Sequence, residues 1–239
     1  FVASMKRLAL LLLIPTTAFA WTRTSDQQIA YRAAQLAPHD MRLIITKYHS
    51  QYYAGVDRAL AEEANETHRA HLRERIESEA NNIVSLLRTR KPMQEVVFRL
   101  GMLAHLVGDA NNPFHVATDA EVEPSHADFE SYFERRMARF PTVFYGVDPR
   151  LALTPFVDRT LHRTARLAPL MDEEYFRGGS RHTSAEFDDR STAFGVASIC
   201  YSHAITDIVN LDYYIWRQAG GDVRQAASMT APRIIPNAN

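Results

Sequence analysis

The chain has a single cysteine, Cys200, among its 239 residues, so no disulfide can form within it. This absence matters because the amino-terminal segment has the features of an export signal, and exported proteins can use disulfides to stabilise their folds. Another source of stability is therefore required. Cys200 ends an apolar stretch that starts at residue 193, which predicts a buried, unreactive thiol.

Long hydrophobic runs are also missing, apart from a short one at 8–14. That run is far shorter than the roughly 20 residues that span a bilayer as a helix. The basic pair Lys6-Arg7 precedes it, and a small-x-small cleavage site ends at Ala20. Residues 1–20 are therefore predicted to be an upstream extension and a secretory signal peptide. We expect a mature chain that begins at Trp21 and is secreted or periplasmic.

An excess of basic charge is missing as well. Removing Lys6 and Arg7 from the 27 basic residues leaves 25 against 28 acidic ones, a formal charge of −3 with neutral histidines. This balance provides no basic field for a duplex nucleic-acid partner. Residues 21–239 are predicted to form one domain, because typical domains contain roughly 100–200 residues. The sequence predicts no particular oligomeric state.

Strand-like alternation is scarce, whereas apolar residues recur at helical spacing, as at Val97, Leu100, Ala104 and Val107. The predicted fold is therefore all-α, a single compact multi-helix domain.

Capping and breaking residues predict where the helices begin and end. A helix start is predicted at Ser25-Asp26, and helix stops at Gly55 and at Gly220-Gly221. Further helices are predicted over 65–90, 93–108, 125–139 and 184–216. The remaining segments are predicted to be surface loops at 140–155 and 177–182 and a frayed tail up to Asn239.

Histidine and acidic residues pair at helical spacing in two places. His105 and Asp109 are four residues apart, as are His126 and Glu130. Each pair therefore shares one helix face, with Cβ atoms about 5–6 Å apart. Imidazole nitrogen and carboxylate oxygen are ligands that zinc accepts when sulfur is absent.

Pro113 follows the first pair, and His115 comes two residues later. Because a proline interrupts a helix, we expect the first helix to end at Asp109 or soon after. His115 can then turn away and join the second pair. The pattern predicts two metal sites rather than one.

A structural interpretation competes with ligation for each pair. A lone His105 on an apolar helix is typical of a hydrogen-bonded core histidine, and His126 with Glu130 is typical of a solvated helix face. Asp109 favours ligation in the first pair, because an unpaired buried charge costs several kcal/mol. His115 favours ligation in the second.

These motifs resemble the zinc-dependent phospholipase C family, which includes the bacterial phosphatidylcholine-preferring enzymes and the catalytic domain of clostridial alpha-toxin. The resemblance rests on the run from His105 to His115, on the His126-x-x-x-Glu130 pair, and on a tryptophan directly after the predicted cleavage site. It spans residues 21 to about 136. Single-strand nucleases of the P1 type belong to the same superfamily, but their last pair typically ends in aspartate, so Glu130 favours the phospholipase branch.

The resemblance implies the ligands of a first zinc ion. They are Asp57, His105, Asp109 and one further histidine. His68 is preferred for that position because of its local context, although His71 lies one turn further on.

A second zinc ion is implied at His115, His126 and Glu130. Together with the first ion, it would form the core of the metal centre.

A third zinc ion of the family is bound by the amino group and carbonyl of the N-terminal tryptophan, by the bridging aspartate and by a histidine. Trp21 and Asp109 match the first two, whereas Asp26 occupies the histidine position. A carboxylate is acceptable to zinc but adds negative charge. We therefore expect two or three zinc ions. A third would require export, since the Trp21 amine is free only after cleavage.

The resemblance implies hydrolysis of a phosphodiester, with phospholipid as the leading substrate and a transient contact with a membrane surface. Clustered zinc ions neutralise phosphate charge and lower the pKa of a bound water to about 7, so hydroxide would be the nucleophile. Asp57 is predicted to be the general base. The sequence contains neither a Gly-rich phosphate loop nor a G-x-S-x-G motif.

The head group is left open, because choline-preferring enzymes have an acid and two aromatics where this chain has Thr24, Arg58 and Asn65. A cationic Arg58 would repel choline and either contacts an anionic group or is solvated. Three hypotheses follow: a phospholipase C, a single-strand nuclease or nucleotidase with a base-stacking aromatic, and a catalytically weak metal-binding protein. The other histidines are predicted to be structural or exposed, namely His39, His49, His162, His182 and His203.

Overall fold

The computed structural model describes residues 22–63, 71–116 and 123–236 and confirms the predicted all-α class. The helices pack around one hydrophobic core. In chain order they are α1 (Arg23–Leu36), α2 (His39–Lys47), α3 (His49–Glu63), α4 (Leu72–Arg88), α5 (Met93–Ala110), α6 (Pro113–Val116), α7 (Glu123–Arg136), α8 (Leu153–Ala165), α9 (Ala168–Tyr175) and α10 (Thr192–Gln218). Within the described residues, no helix is both long and apolar enough to cross a membrane. The predicted signal peptide lies outside them.

Helix α1 begins at Arg23, two residues before the predicted start. Thr22 caps it, since its Oγ1 atom accepts the N–H of Ser25 at 3.3 Å. Asp26 therefore lies inside the first turn rather than at the cap. This helix packs against both α3 and α5. Side chains of its first turn can therefore contact residues of those two helices.

Helices α3 and α5 approach each other closely through two glycines. A Cβ atom added to Gly55 would lie 1.9 Å from the Phe98 carbonyl oxygen, and one added to Gly101 would lie 2.0 Å from the Tyr52 carbonyl oxygen. The prediction that Gly55 stops a helix was therefore wrong. α3 continues through Gly55, where the absence of a side chain lets the backbones of α3 and α5 touch. His105 lies one turn after Gly101, on the same face of α5.

A small two-stranded sheet holds part of the carboxy-terminal tail. Strand β1 (Thr142–Phe144) pairs antiparallel with β2 (Arg233–Ile235), with Val143 opposite Ile234. β1 is fixed to α10, where the Ser202 hydroxyl accepts the Val143 N–H at 3.0 Å. The predictions of a loop over 140–155 and of a frayed tail were therefore wrong for these strands.

Helix α10 begins at Thr192 rather than at 184, because Ser191 caps it and accepts the N–H of Phe194 at 3.2 Å. Residues 184–186 form a separate 3-10 turn. The helix ends at Gln218, before the predicted glycine stop. Cys200 is buried in this helix, as predicted, and burial raises the pKa of its thiol to about 12.

Candidate metal centre

Three potential ligands converge between α6 and α7. The Nε2 atom of His126 lies 2.9 Å from the Nε2 atom of His115 and 2.7 Å from Oε1 of Glu130. Nε2 of His115 lies 3.7 Å from the same Glu130 oxygen. All three residues are at most 4% exposed. The structure thus brings together two imidazoles and one carboxylate from three of the predicted positions.

The donor atoms of this cluster fit a zinc ion. Tetrahedral ligands at about 2.0–2.1 Å from zinc lie roughly 3.3–3.4 Å from one another, by simple geometry from the known bond lengths. The three separations here, 2.7, 2.9 and 3.7 Å, bracket that value. Counted over the described residues, the cluster offers three protein ligands, and three ligands with a fourth position for water are typical of catalytic rather than structural zinc.

The turn between α5 and α6 places His115. α5 ends at Ala110, close to the predicted end, and Asn112 then caps α6 by accepting the N–H of Phe114 on its Oδ1 atom at 3.0 Å. Pro113 is the first residue of α6, where a missing N–H costs nothing. His115 is therefore turned out of the α5 axis towards α7.

An aromatic and polar shell fixes α7. The ring of Phe114 stacks on that of His126, with centroids 5.9 Å apart and planes at 8°. On the same helix, the carboxylate of Asp128 accepts hydrogen bonds from the Tyr175 hydroxyl at 2.9 Å and from the Ser184 N–H at 2.7 Å. Supporting contacts of this kind hold ligand side chains in one orientation.

A second cluster surrounds His105. Its Nδ1 atom lies 2.9 Å from Oδ2 of Asp26, and its Nε2 atom lies 3.3 Å from Oδ2 of Asp109. The three side chains are between 0% and 2% exposed. Asp26 and Asp109 therefore stand on opposite sides of one imidazole ring, within reach of different ring nitrogens.

Asp57, on α3, contacts the beginning of α1 through Arg23 and Gln27. Its carboxylate accepts hydrogen bonds from Arg23 at 2.8 and 2.5 Å and from the Gln27 amide at 2.9 Å. Burial alone would raise the pKa of Asp57, but the bonds from Arg23 and Gln27 outweigh it and lower the pKa. Asp57 is thus an ionised carboxylate paired with an exposed cation. Its predicted roles as ligand and base remain predictions.

The structure places the remaining predicted residues as follows. Trp21 and His68 lie outside the described residues, as does Asn65. His71 is 78% exposed and lies 3.9 Å from Glu74. Arg58 pairs with Glu62 at 2.8 Å, one turn further along α3.

The five remaining histidines are structural or exposed, as predicted. His39, His49 and His162 are exposed, and His182 pairs with Glu186 at 2.7 Å. His203 stacks on Tyr145 with ring centroids 4.1 Å apart, and burial together with Arg163 lowers its pKa to about 4.

Sequence reasoning missed a buried network behind the metal-binding turn. Arg163 donates to Oδ1 of Asn111 at 2.8 Å and to Oδ2 of Asp207 at 2.5 Å, and the Asn111 amide donates to the same Asp207 oxygen at 3.0 Å. These bonds attach the turn after Asp109 to α8 and α10. Asn111 lies within the predicted motif, but nothing in the sequence connects it with partners 52 and 96 residues away.

An open groove of about 690 Å³ runs along α1 beside Asp57. Its lining is polar and aromatic, and it consists of Arg23, Thr24, Gln27, Gln28, Tyr31 and Tyr53. Arg23 and Gln27 contact Asp57 as well, so the groove and the carboxylate share residues.

The chain is similar in fold to a solved structure, that of Clostridium perfringens alpha-toxin isolated from avian strain SWCP. The TM-score is 0.60 at 12% sequence identity, and the match covers 83% of this chain and 64% of the toxin chain. At this identity the likeness shows the fold alone. No protein-family model and no curated protein matches the chain.

Proposed function

We propose that this chain is a secreted zinc-dependent hydrolase of phosphodiesters that cleaves phospholipids in the manner of a phospholipase C. The observation that carries the proposal is the convergence of His115, His126 and Glu130 within 4.8 Å of one another in the protein interior. The similarity in fold to alpha-toxin supports it, because the motifs resemble the family that includes the catalytic domain of that toxin.

Bound zinc would supply the positive charge and Lewis acidity that phosphodiester hydrolysis requires. His115, His126 and Glu130 would bind one ion, and His105 with Asp109 would contribute to another. The residues behind them keep these side chains in place: Phe114 covers the His126 ring, and Asn111 ties the intervening turn to Arg163.

Asp57 is proposed to accept the proton of the attacking water. Its bonds to Arg23 and Gln27 keep it ionised and hold its orientation, which a proton acceptor needs. The same bonds lower its basicity, so proton transfer would require Arg23 to move away. The Arg23 side chain is 67% exposed and has room to do so.

Metal analysis and a substrate panel test the proposal. The chain would be prepared with Trp21 as its first residue, its zinc content measured, and its activity assayed on phospholipid vesicles, single-stranded DNA, nucleotides and a chromogenic phosphodiester. We expect zinc-dependent release of a phosphorylated head group from phospholipid. Absence of zinc-dependent turnover on every phosphodiester would refute the proposal.

The groove on α1 favours a second candidate, a nuclease or nucleotidase. Tyr31 and Tyr53 offer aromatic faces beside the amides of Gln27 and Gln28, and base stacking on such rings is worth about 1–3 kcal/mol. If nucleotides are the substrate, Tyr53→Ala should weaken their binding by roughly 5- to 150-fold. Tyr214→Ala, which changes a tyrosine outside this groove, is the matched control. Equal activity of both variants on nucleotides would exclude the groove as a base site.

A further inference from the structure

We infer that Asp26 is a positioning residue for His105 rather than a ligand of a third zinc ion, and that the chain accordingly binds two zinc ions. The inference rests on the proposed metal centre. It concerns how the Asp26 side chain orients the His105 ring. It replaces the role of metal ligand that the family resemblance implies for Asp26.

The geometry around the His105 ring carries the first step. Oδ2 of Asp26 lies 2.9 Å from Nδ1, a normal distance for a charge-assisted hydrogen bond, and both side chains are at most 1% exposed. With an ion bound at Nε2, the neutral ring carries its one proton on Nδ1, where the Asp26 carboxylate is placed to accept it.

The second step follows from the chemistry of a neutral imidazole. It has one N–H, so a proton on Nδ1 leaves the Nε2 lone pair available. Nε2 faces Oδ2 of Asp109 at 3.3 Å, close to the separation of two ligands on one zinc ion. Metal-binding histidines commonly donate their other N–H to a carboxylate, which fixes the tautomer and raises the basicity of the ligand.

The position of Asp26 in the chain carries the third step. It lies in the capped first turn of α1, where its backbone N–H bonds to the Thr22 carbonyl at 3.0 Å. A carboxylate held on a regular helix orients its partner more precisely than one on a loop. Arg23 and Gln27 of the same turn hold Asp57. One helical turn thus orders carboxylate and imidazole groups on both of its sides.

The consequence for the metal count follows from this orientation. The Asp26 carboxylate is directed at the back of the His105 ring, so it serves the ion bound at Nε2 indirectly. In the family, a histidine at this position binds the third ion. Here Asp26 takes that position and does not bind a third ion.

The test uses the zinc-loaded chain with Trp21 as its first residue, together with Asp26→Asn, Asp26→Leu and the control Asp40→Asn. Asp40 is an exposed acid in the first turn of α2. Nitrogen-15 NMR of the His105 ring reads the tautomer, and a chelator challenge reads the zinc count and its release rates.

We expect the proton on Nδ1 and two zinc ions in the unchanged chain. Asp26→Leu should keep two ions but release one about 10- to 100-fold faster, the usual effect of losing such a supporting carboxylate. Asp26→Asn keeps an oxygen acceptor and the side-chain shape, so its effect should be smaller, less than about tenfold. Asp40→Asn should match the unchanged chain.

A proton on Nε2, a count of three ions in the unchanged chain, or unchanged release from Asp26→Leu would each overturn the inference. Should Asp26→Leu fail to fold, Asp26→Asn and the tautomer measurement still decide it. The tautomer and the zinc count are both read without any measurement of turnover. A chain that binds two ions but hydrolyses no phosphodiester would therefore refute the proposed function and leave the role of Asp26 supported.

Discussion

The Nε2 atoms of His115 and His126 lie 2.9 Å apart, although the two residues belong to different helices. Two imidazole nitrogens that face each other at this distance in the protein interior are suited to bind one metal ion, because the ion would accept both lone pairs. This relationship leads directly to the first prediction.

His115→Ala or Glu130→Ala should remove one zinc equivalent and lower turnover by more than about 100-fold, since even changes to residues that support ligands cost about 10- to 100-fold. Helical content should remain largely intact, because the core does not depend on these side chains. The exposed His162 provides the control variant His162→Ala, which should keep full zinc and activity. Full zinc content and full turnover in either ligand variant would show that the site is assigned wrongly.

A second prediction concerns the amino terminus. The family resemblance implies that a residue added before Trp21 would block its amine and release a third ion. The contact between Asp26 and His105 implies instead that the extended and authentic chains bind the same number of zinc ions. Zinc analysis of the two preparations decides the matter. A loss of one equivalent on extension would restore Trp21 and Asp26 as ligands.

A third prediction concerns the contact between α3 and α5. Gly101→Ala should lower the free energy of unfolding by about 3 kcal/mol or more, because its Cβ would lie 2.0 Å from the Tyr52 carbonyl oxygen and the helices must separate. The matched control is Gly195→Ala on α10, where no atom lies within 4 Å of the added carbon. That change should stabilise the helix by about 0.5–1 kcal/mol. Urea denaturation measures both, and similar effects would contradict the contact.

The cluster of His115, His126 and Glu130 could be predicted from the sequence because its information is local. Spacings of four residues put His126 and Glu130 on one helix face, and Pro113 indicated where α5 ends. The position of Asp26 beside the centre was likewise expected from the family resemblance. Its contact with Nδ1 was not, because spacing along the chain carries no information on which ring nitrogen a carboxylate reaches.

Other features depend on contacts between distant segments. A glycine such as Gly55 is typical of a helix end. Its close contact with the Phe98 backbone explains why a glycine lies inside a helix that continues. β1 and β2 have three residues each, too few to show alternation, and they are separated by most of the carboxy-terminal half. Pro155 is the last residue of the predicted loop over 140–155 but lies in the first turn of α8, where proline is tolerated.

The last prediction concerns Asp212, a 3% exposed residue of α10 whose Oδ2 atom has no hydrogen-bond partner among the described residues. Burial raises the pKa of this carboxyl well above its usual value in the folded chain. The nearby Tyr52 stays neutral, because its own pKa is raised as well. The folded chain therefore keeps a proton that the unfolded chain releases above about pH 4.

A carboxyl group whose pKa is raised by folding contributes its full stability at a pH below its pKa in the unfolded chain. That contribution is lost as the pH rises towards its pKa in the folded chain. Asp212→Asn cannot ionise, so it should escape this loss. Its free energy of unfolding should equal that of the unchanged chain near pH 3 and exceed it progressively above pH 4, by about 1.4 kcal/mol per pH unit until the folded pKa is reached. Urea denaturation at several pH values measures the difference, with Asp40→Asn as the exposed control. A difference that does not change with pH would mean that the pKa of Asp212 is the same in the folded and unfolded chains.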